Sequence, residues 1–369
     1  MRERPRVLFD ARKARDFGIG RALVGLLAGL VEEPLELVAL VKTGDEEMLP
    51  PGVEAVRCDA PAYGIRELFA LRLAIRRLKP DLFHAPHYVV PISPPRRTVV
   101  TIHDLMHLTR PEHGALPKRL YARVMLRRAV EAAARILTPS EATRREIVAF
   151  DARADAKAVV IPNAVDPRFL APQTESDRAR VRSAYGLDAR YVLFAGNDKP
   201  HKNLEGLLAA FARFAKRDWA RLLVLAGGAR PRAGARLEAI ERHGLLTRVR
   251  DLGVVPDGDL VALMAEADAL ALPSLAEGFG LPVLEAMAAG TPVVCSNRGA
   301  LPEVAGDAAL VVDPLDADAL AGALLRITSD ETLRRDLAAR GRERAARFSA
   351  REAARRTADV YREVLEEPH

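Results

Sequence analysis

The chain has 369 residues, 49% apolar and 29% charged, with a formal net charge of +6 and two cysteines. That length favours two domains over a single core; no apolar run reaches the ~18 residues of a membrane span, and Cys58 and Cys295, in separate halves without metal-ligand spacing, read as reduced thiols. Aromatic residues amount to 5% and do not interleave with the basic runs, so the stacking platforms of a nucleic-acid-binding protein are lacking despite a pI near 9.5.

The start, MRERPRVLFD, passes from basic residues straight into an apolar strand, without the long apolar core of a secretory signal, which predicts a cytoplasmic protein. RVLF, ELVALV, DLFHA, TVVTIH, RILTPS and AVVIP read as strands, with helices near 20–32, 65–79, 117–134 and 141–149. Near-continuous apolar strands between helices imply a parallel sheet covered on both faces. The basic excess belongs here: residues 1–170 hold 28 Lys and Arg against 21 Asp and Glu. IRELFALRLAIRRLK (Arg66, Arg72, Arg76, Arg77, Lys79) and LPKRLYARVMLRRAVEAAAR (Lys118, Arg119, Arg123, Arg127, Arg128) add apolar residues at helical spacing. Such helices suit peripheral contact with an anionic membrane surface, or are plain solvated faces.

DPRFLAPQTESDRARVR breaks the rhythm and reads as a linker into a second unit. There YVLFAG, RLLVLAGG, RVRDLG, DALALPS, TPVVCS and ALVVDP are the strands, with helices near 203–217, 232–243, 257–267, 281–289 and 316–328 and helical residues 331–366. The fold class expected is α/β, with two doubly wound parallel sheets. Residues 1–175 form the first domain, 176–350 the second, and 351–369 a helix that crosses back to the first. Two such sheets facing each other would leave a ligand cleft at the carboxyl ends of their strands.

Two segments of the second unit carry the chemistry. EGFGLPVLEAMAAG (277–290) is a strand exit, a Gly-rich turn and a helix start, with Glu277 and Glu285 around it. The helix N-terminus suits an anion, whereas ionised carboxylates grip hydroxyl donors. A ligand bearing both a phosphate and hydroxyls, such as a nucleotide sugar, reconciles the two. YVLFAGNDKPHKNLEGLL, from Tyr191, is a strand, a turn and a helix whose first turn contains Lys202 and Asn203, where a lysine would help to hold a diphosphate; Asn203 also fits a plain N-cap. Asp257-Gly-Asp259 and Asp316-Ala-Asp318 have the spacing of a metal-binding D-x-D, but each stands where a helix begins and reads as a cap.

These segments, with GIGR (18–21), TIHDLMHL (101–108), TPSEATRREI (138–147), IPNAVD (161–166), GNDKPHKNL (196–204) and LPEVAG, make nearly the whole chain resemble the retaining nucleotide-sugar glycosyltransferases of the GT-B fold, family 4, in a mannosyltransferase-like form. The resemblance implies that Glu285 binds the ribose hydroxyls, Glu277 the donor sugar, and the backbone amides of Phe279, Gly280 and Leu281 the sugar and diphosphate. Lys202 would neutralise the departing diphosphate. Gly18 and Gly20 would form a loop of the first domain that approaches it, and His103 would contact the transferred sugar. Without the resemblance, the glycines read as an ordinary turn before a helix and His103 as a buried histidine.

One position departs from the family. Asn197 follows Gly196 where an arginine is usual, and Lys199, two residues later, is the candidate replacement, although an ammonium is not a bidentate guanidinium. What the resemblance implies is transfer of a hexose, with a lean towards mannose from GDP-mannose, to a saccharide or lipid-linked acceptor held by the N-terminal domain. It also implies retention of anomeric configuration, no metal and no other cofactor. A nucleotide-sugar epimerase or a sugar phosphorylase of related fold is the enzymatic alternative.

Overall fold

The computed structural model describes residues 4–61, 64–109, 116–228 and 234–367. The chain divides into two units: residues up to Ala164 together with those from Phe348 onward, and Val165–Arg347.

In the first unit, β1 (Arg6–Asp10), α1 (Phe17–Leu30), β2 (Glu36–Val41), β3 (Val53–Arg57), α2 (Ile65–Leu78), β4 (Leu82–Ala85) and β5 (Thr98–Thr101) come first. The short α3 (Met106–Thr109), α4 (Leu116–Ala132), β6 (Arg135–Thr138), α5 (Glu141–Phe150) and β7 (Ala158–Val160) follow. The seven strands lie in the order β3-β2-β1-β4-β5-β6-β7, and each neighbouring pair is parallel. One apolar cluster joins the sheet to α2, α4 and α5 through Leu68, Leu71, Met125, Leu126 and Ile147. The other joins it to α1 through Leu23, Leu27 and Leu30. Covered on both faces, the central strands are mostly apolar, with His84 of β4 and Thr98 of β5 as buried polar exceptions.

The strand β3 went unseen in the sequence because it is an edge strand whose burial never exceeds partial, with Glu54 and Arg57 exposed. Only its backbone pairing to β2, from Val53 against Leu37 to Arg57 against Val41, defines it.

The second unit contains α6 (Glu175–Tyr185), β8 (Tyr191–Ala195), α7 (Leu204–Ala215), β9 (Leu222–Ala226), α8 (Ala235–Arg242), β10 (Val249–Gly253) and α9 (Asp257–Glu266). It continues with β11 (Ala269–Leu272), α10 (Leu281–Ala289), β12 (Val293–Ser296), α11 (Leu301–Ala305), β13 (Ala309–Val312), α12 (Ala317–Ser329) and α13 (Glu331–Ala345). Its parallel sheet has the order β10-β9-β8-β11-β12-β13. The first residues of the helix expected from 232 lie outside the described residues.

The segment expected to be a linker is instead partly α6. Thr174 and Asp177 form a reciprocal capping box and Gly186, at φ 60°, ends the helix. Val181 alone of its side chains is buried, so no apolar stripe announced it. Ion pairs fix it to α9: Arg182 to Glu266 at 2.8 Å and Arg180 to Asp259 at 2.7 Å. Arg168 also reaches Asp257 at 3.0 Å, which places the division at 164/165 rather than at 175/176.

The helical stretch expected over 331–366 is two helices. It breaks before Ser349, whose Oγ accepts the Glu352 N–H at 3.2 Å and caps α14 (Ala350–Glu366). α14 belongs to the first unit and packs on α1, where a Cβ on Gly29 would lie 2.6 Å from the Ala350 carbonyl oxygen and 2.7 Å from the Ala354 Cβ.

Candidate active site

In the second unit the two chemical segments leave adjacent strands. β8 pairs with β11, and strand order reverses between them, the switch point at which open α/β sheets bind ligands. After β8 the chain turns through Gly196 and Asn197 into a 3-10 turn, Pro200–Lys202, and only then into α7. Lys202 thus stands in that turn, not within the first turn of the helix. Its stem passes Gly196, where a Cβ would lie 3.5 Å from the Lys202 Cδ. Its Nζ donates to Glu277 Oε1 at 2.6 Å, the two side chains being 11% and 9% exposed.

This pair explains little stability, because desolvating two charges offsets most of their attraction. It holds an ammonium and a carboxylate ready at a strand end, where a ligand offering phosphate to one and hydroxyls to the other could replace the contact. The turn is tied down by its surroundings. The Leu275 N–H donates to the His201 carbonyl at 2.7 Å. Asn203, at φ 56°, does not cap α7 with its side chain; its Nδ2 donates to the carbonyls of Pro273 and Pro314 at 3.1 and 2.8 Å and so clamps three loops together.

After β11, Glu277 lies in the loop and Glu285 one turn inside α10, 2% exposed. Gly280 is the N-cap residue at φ 104°, and α10 has neither a capping side chain nor an acidic residue in its first turn. The N-terminal end formed by Phe279, Gly280 and Leu281 therefore keeps its positive potential. Gly280 also allows close packing, since a Cβ there would overlap the Leu301 side chain.

Sequence reasoning missed what holds Glu277. The loop after β12 lies against it: the Ala300 N–H donates to the Glu277 carbonyl at 3.0 Å. Gly299 is at φ 60°, and a Cβ there would lie 2.6 Å from that carbonyl oxygen and 2.8 Å from the Glu277 nitrogen. Gly-Ala before LPEVAG was the available signal, but contact between loops has no sequence period.

Asn197 and Lys199 also leave β8. Asn197 Oδ1 accepts the Lys199 N–H at 3.2 Å, a local turn. Lys199 is exposed. A buried guanidinium, unnoticed in the sequence, stands behind this loop: Arg236, 7% exposed, donates to Asp198 Oδ1 and to the Gly227 carbonyl, both at 2.8 Å.

The D-x-D aspartates are engaged elsewhere. Asp257 and Asp259 bind Arg168 and Arg180, and Tyr185 donates to Asp259 at 2.6 Å. Asp316 caps α12 by accepting the Asp318 and Ala319 N–H groups.

The remaining candidates belong to the first unit. Gly18 and Gly20 are in the first turn of α1, not in a loop. Gly18 is exposed with open space at its Cβ position, whereas any Cβ on Gly20 would overlap the Ala14 carbonyl. His103, just beyond β5, is partly buried and reaches the Pro86 carbonyl, while its Nε2 has no partner among the described residues. Burial pushes the imidazole below its ordinary value, so it is neutral, with Nε2 able to accept from a hydroxyl. The TPSEATRREI segment serves it: Ser140 caps α5 and Thr143 Oγ1 donates to the His103 carbonyl at 3.2 Å.

Residues 18–169 match the Glycosyltransferase Family 4 description and 176–344 the Glycosyl transferases group 1 description. The chain is 36% identical over 292 residues to the O-antigen chain mannosyltransferase B of Escherichia coli, covering 78% of this chain and 76% of that protein. It is 35% identical over 256 residues to the MMP alpha-(1->4)-mannosyltransferase of Mycolicibacterium hassiacum, covering 68% and 59%. Among solved structures it resembles a sucrose-phosphate synthase from Thermosynechococcus elongatus, with TM-score 0.80, 21% identity and 99% and 100% coverage. It also resembles Anabaena HepE in complex with UDP-glucose, with TM-score 0.77, 21% identity and 97% and 100% coverage. By sequence and by fold, the chain belongs to the group 1 glycosyl transferases of family 4, mannosyltransferase-like enzymes with the GT-B fold.

Proposed function

We propose that this glycosyltransferase moves mannose from a nucleoside diphosphate, GDP-mannose being the first choice, to a hydroxyl of a saccharide or lipid-linked acceptor, with retention of anomeric configuration. The observation that carries the reading is the Lys202–Glu277 pair beside the uncapped end of α10. Breaking the sugar–phosphate bond builds negative charge on the diphosphate and positive charge on the ring. Lys202 and the α10 amides stabilise the first without reorganising; Glu277, released from Lys202 by the diphosphate, accepts from the sugar hydroxyls. Glu285 binds the ribose and His103 the transferred sugar. Lys199, exposed at the same strand end, takes the place of the arginine that Asn197 replaces.

The acceptor hydroxyl attacks on the face that the diphosphate leaves and gives its proton to a leaving phosphate oxygen. No metal enters this scheme, and the engagement of Asp257, Asp259 and Asp316 in helix ends and ion pairs supports that. Thermal-shift screening against GDP, UDP, ADP and dTDP and their sugars identifies the donor, because a ligand that binds only the folded state raises the melting point. NMR of the product from labelled donor then tests the chemistry: a new glycoside with the donor's configuration is expected, whereas an isomerised nucleotide sugar would replace the reading by epimerisation.

Peripheral membrane contact is a second reading, favoured by one observation. Phe69 and Leu73 on α2 and Leu116, Leu120 and Val124 on α4 are 50% to 76% exposed, each one helical turn from the next. Exposed Arg66, Arg76, Arg77, Lys118, Arg123 and Arg127 lie on the same two helices. Exposed apolar side chains on helices that also carry exposed cations suit the anionic surface of a bilayer.

A further inference from the structure

We propose that the second unit carries, besides the candidate donor site, a binding site for a small amphiphilic anion: an oxyanion head on a short apolar body. The site is a cavity of about 160 Å³ lined by residues 169–173, by α6, α9 and α13 and by the last turn of α10. All of these lie within Val165–Arg347. Gly280, at the amino end of α10, belongs to the candidate donor site, whereas Ala288 lines the cavity. At 1.5 Å per residue the two positions stand about 12 Å apart along the helix, so one ligand of the cavity's size cannot occupy both places.

The lining combines apolar side chains with two guanidinium groups. Phe169, Val261 and Ala288 are buried. They leave room for a body of about six carbon atoms, since an apolar cavity of ~150 Å³ takes benzene. Arg178 and Arg342 complete the lining, to which no carboxylate contributes among the described residues. The carboxyl ends of α9 and α10 oppose an anion, each as about half a negative charge. Two full positive charges outweigh them.

The state of Arg178 is a second observation that points to a ligand. Its Nη1 reaches Glu266 only at 3.5 Å, and Arg182 holds that carboxylate more closely, at 2.8 Å. Its Nε is buried and has no hydrogen-bond partner among the described residues. A buried donor left unpaired is a cost that an acceptor removes. Nε and the adjoining Nη2 also form the planar edge that takes an oxyanion bidentately. Arg342, exposed, packs against the carboxyl end of α10: any Cβ on Gly290, at φ 80°, would overlap its guanidinium. No ion pair engages Arg342 among the described residues. A neutral solute would gain the apolar contacts alone and a bare phosphate the charged ones alone, so the combination selects an amphiphile.

Saturation-transfer NMR on the full chain, without donor or acceptor, tests this with hexanoate, hexyl phosphate and 1-hexanol. At least one of the two anions should bind the wild type about tenfold more tightly than 1-hexanol does. The same anion should bind Arg178→Gln and Arg342→Gln about tenfold more weakly, as expected for losing a charge-assisted hydrogen bond. Neither inorganic phosphate nor GDP should displace it. Arg342→Gln alters an exposed side chain, so its melting temperature should stay that of the wild type. Equal binding of 1-hexanol, undiminished anion binding in both variants, displacement by phosphate or GDP, or no binding of either anion would each overturn the proposal. The readout involves no sugar transfer, so failure here is distinct from failure of the transferase reading, which the product assay decides.

Discussion

Under the proposed function, the Lys202–Glu277 contact is expected to matter more for chemistry than for stability. Removing either leaves its partner charged and nearly buried, which costs about 3–5 kcal/mol where no water can enter and less where the survivor can turn to solvent. Lys202→Ala and Glu277→Ala should therefore fold, yet lose about 10²–10³ in kcat, the usual effect of removing one preorganised charged contact. Steady-state kinetics beside thermal melts checks both halves. Gly299 makes a sharper test. Gly299→Ala places a Cβ 2.6 Å from the Glu277 carbonyl, whereas Gly186→Ala, at the same φ of 60°, meets nothing within 4 Å. Both variants should be destabilised by about 1–2 kcal/mol from the left-handed backbone. Only Gly299→Ala should lower kcat by a further ~10-fold, and equal kinetics in the two would remove the positioning role.

At the scale of elements, α14 decides whether the first unit is complete. Tyr361 is fully buried, and its hydroxyl meets His84 Nδ1 at 2.5 Å, while Thr101 Oγ1 lies 2.8 Å from Nε2. Phe9 stacks on the same imidazole at 5.0 Å. Tyr361→Phe strands a buried ring nitrogen and should cost about 1–3 kcal/mol, read as a shift in urea midpoint. Burial, with a smaller contribution from His103, pushes His84 down to about 3 from its ordinary 6.5. The unfolded chain therefore binds a proton between those values that the folded one refuses. Stability should be complete above pH 6.5 and fall as the pH drops towards 3, by up to ~1.4 kcal/mol per pH unit for this one group. His87 and His103 are lowered too, with the same sign. Urea titrations at pH 7.5, 6 and 5 should show the decline, and His84→Gln should make it shallower.

For the whole molecule, the division at 164/165 and 347/348 predicts unequal fates for its parts. Residues 165–347 have their own sheet and should melt cooperatively when expressed alone. Residues 1–164 without α14 should not, because α1 would expose the face that Ala354, Ala358, Val360 and Tyr361 cover. Circular dichroism of both fragments checks this, and full cooperativity of 1–164 alone would sink it. The exposed stripe on α2 and α4 predicts co-sedimentation of the intact chain with vesicles of anionic lipid but not with phosphatidylcholine, weakening as salt rises. Replacing Phe69, Leu73, Leu120 and Val124 together by serine should abolish it.

The amino-acid order by itself determined the two parallel sheets, since Val-, Leu- and Ile-rich runs spaced by helices satisfy only a doubly covered sheet. It also determined the pairing of a lysine turn with an E-x7-E helix start, because glycines and helix ends are local features. The fragments that failed to show were those whose reasons are not local. β3 exists through its pairing with β2, and α6 through ions reaching α9. The break at Ser349 is held by packing on α1, and the position of Glu277 by a glycine 22 residues onward. Tertiary structure alone decided these. Periodicity reports which face of an element is buried, whereas the identity of the neighbour across a loop or a sheet edge is set only when distant residues meet.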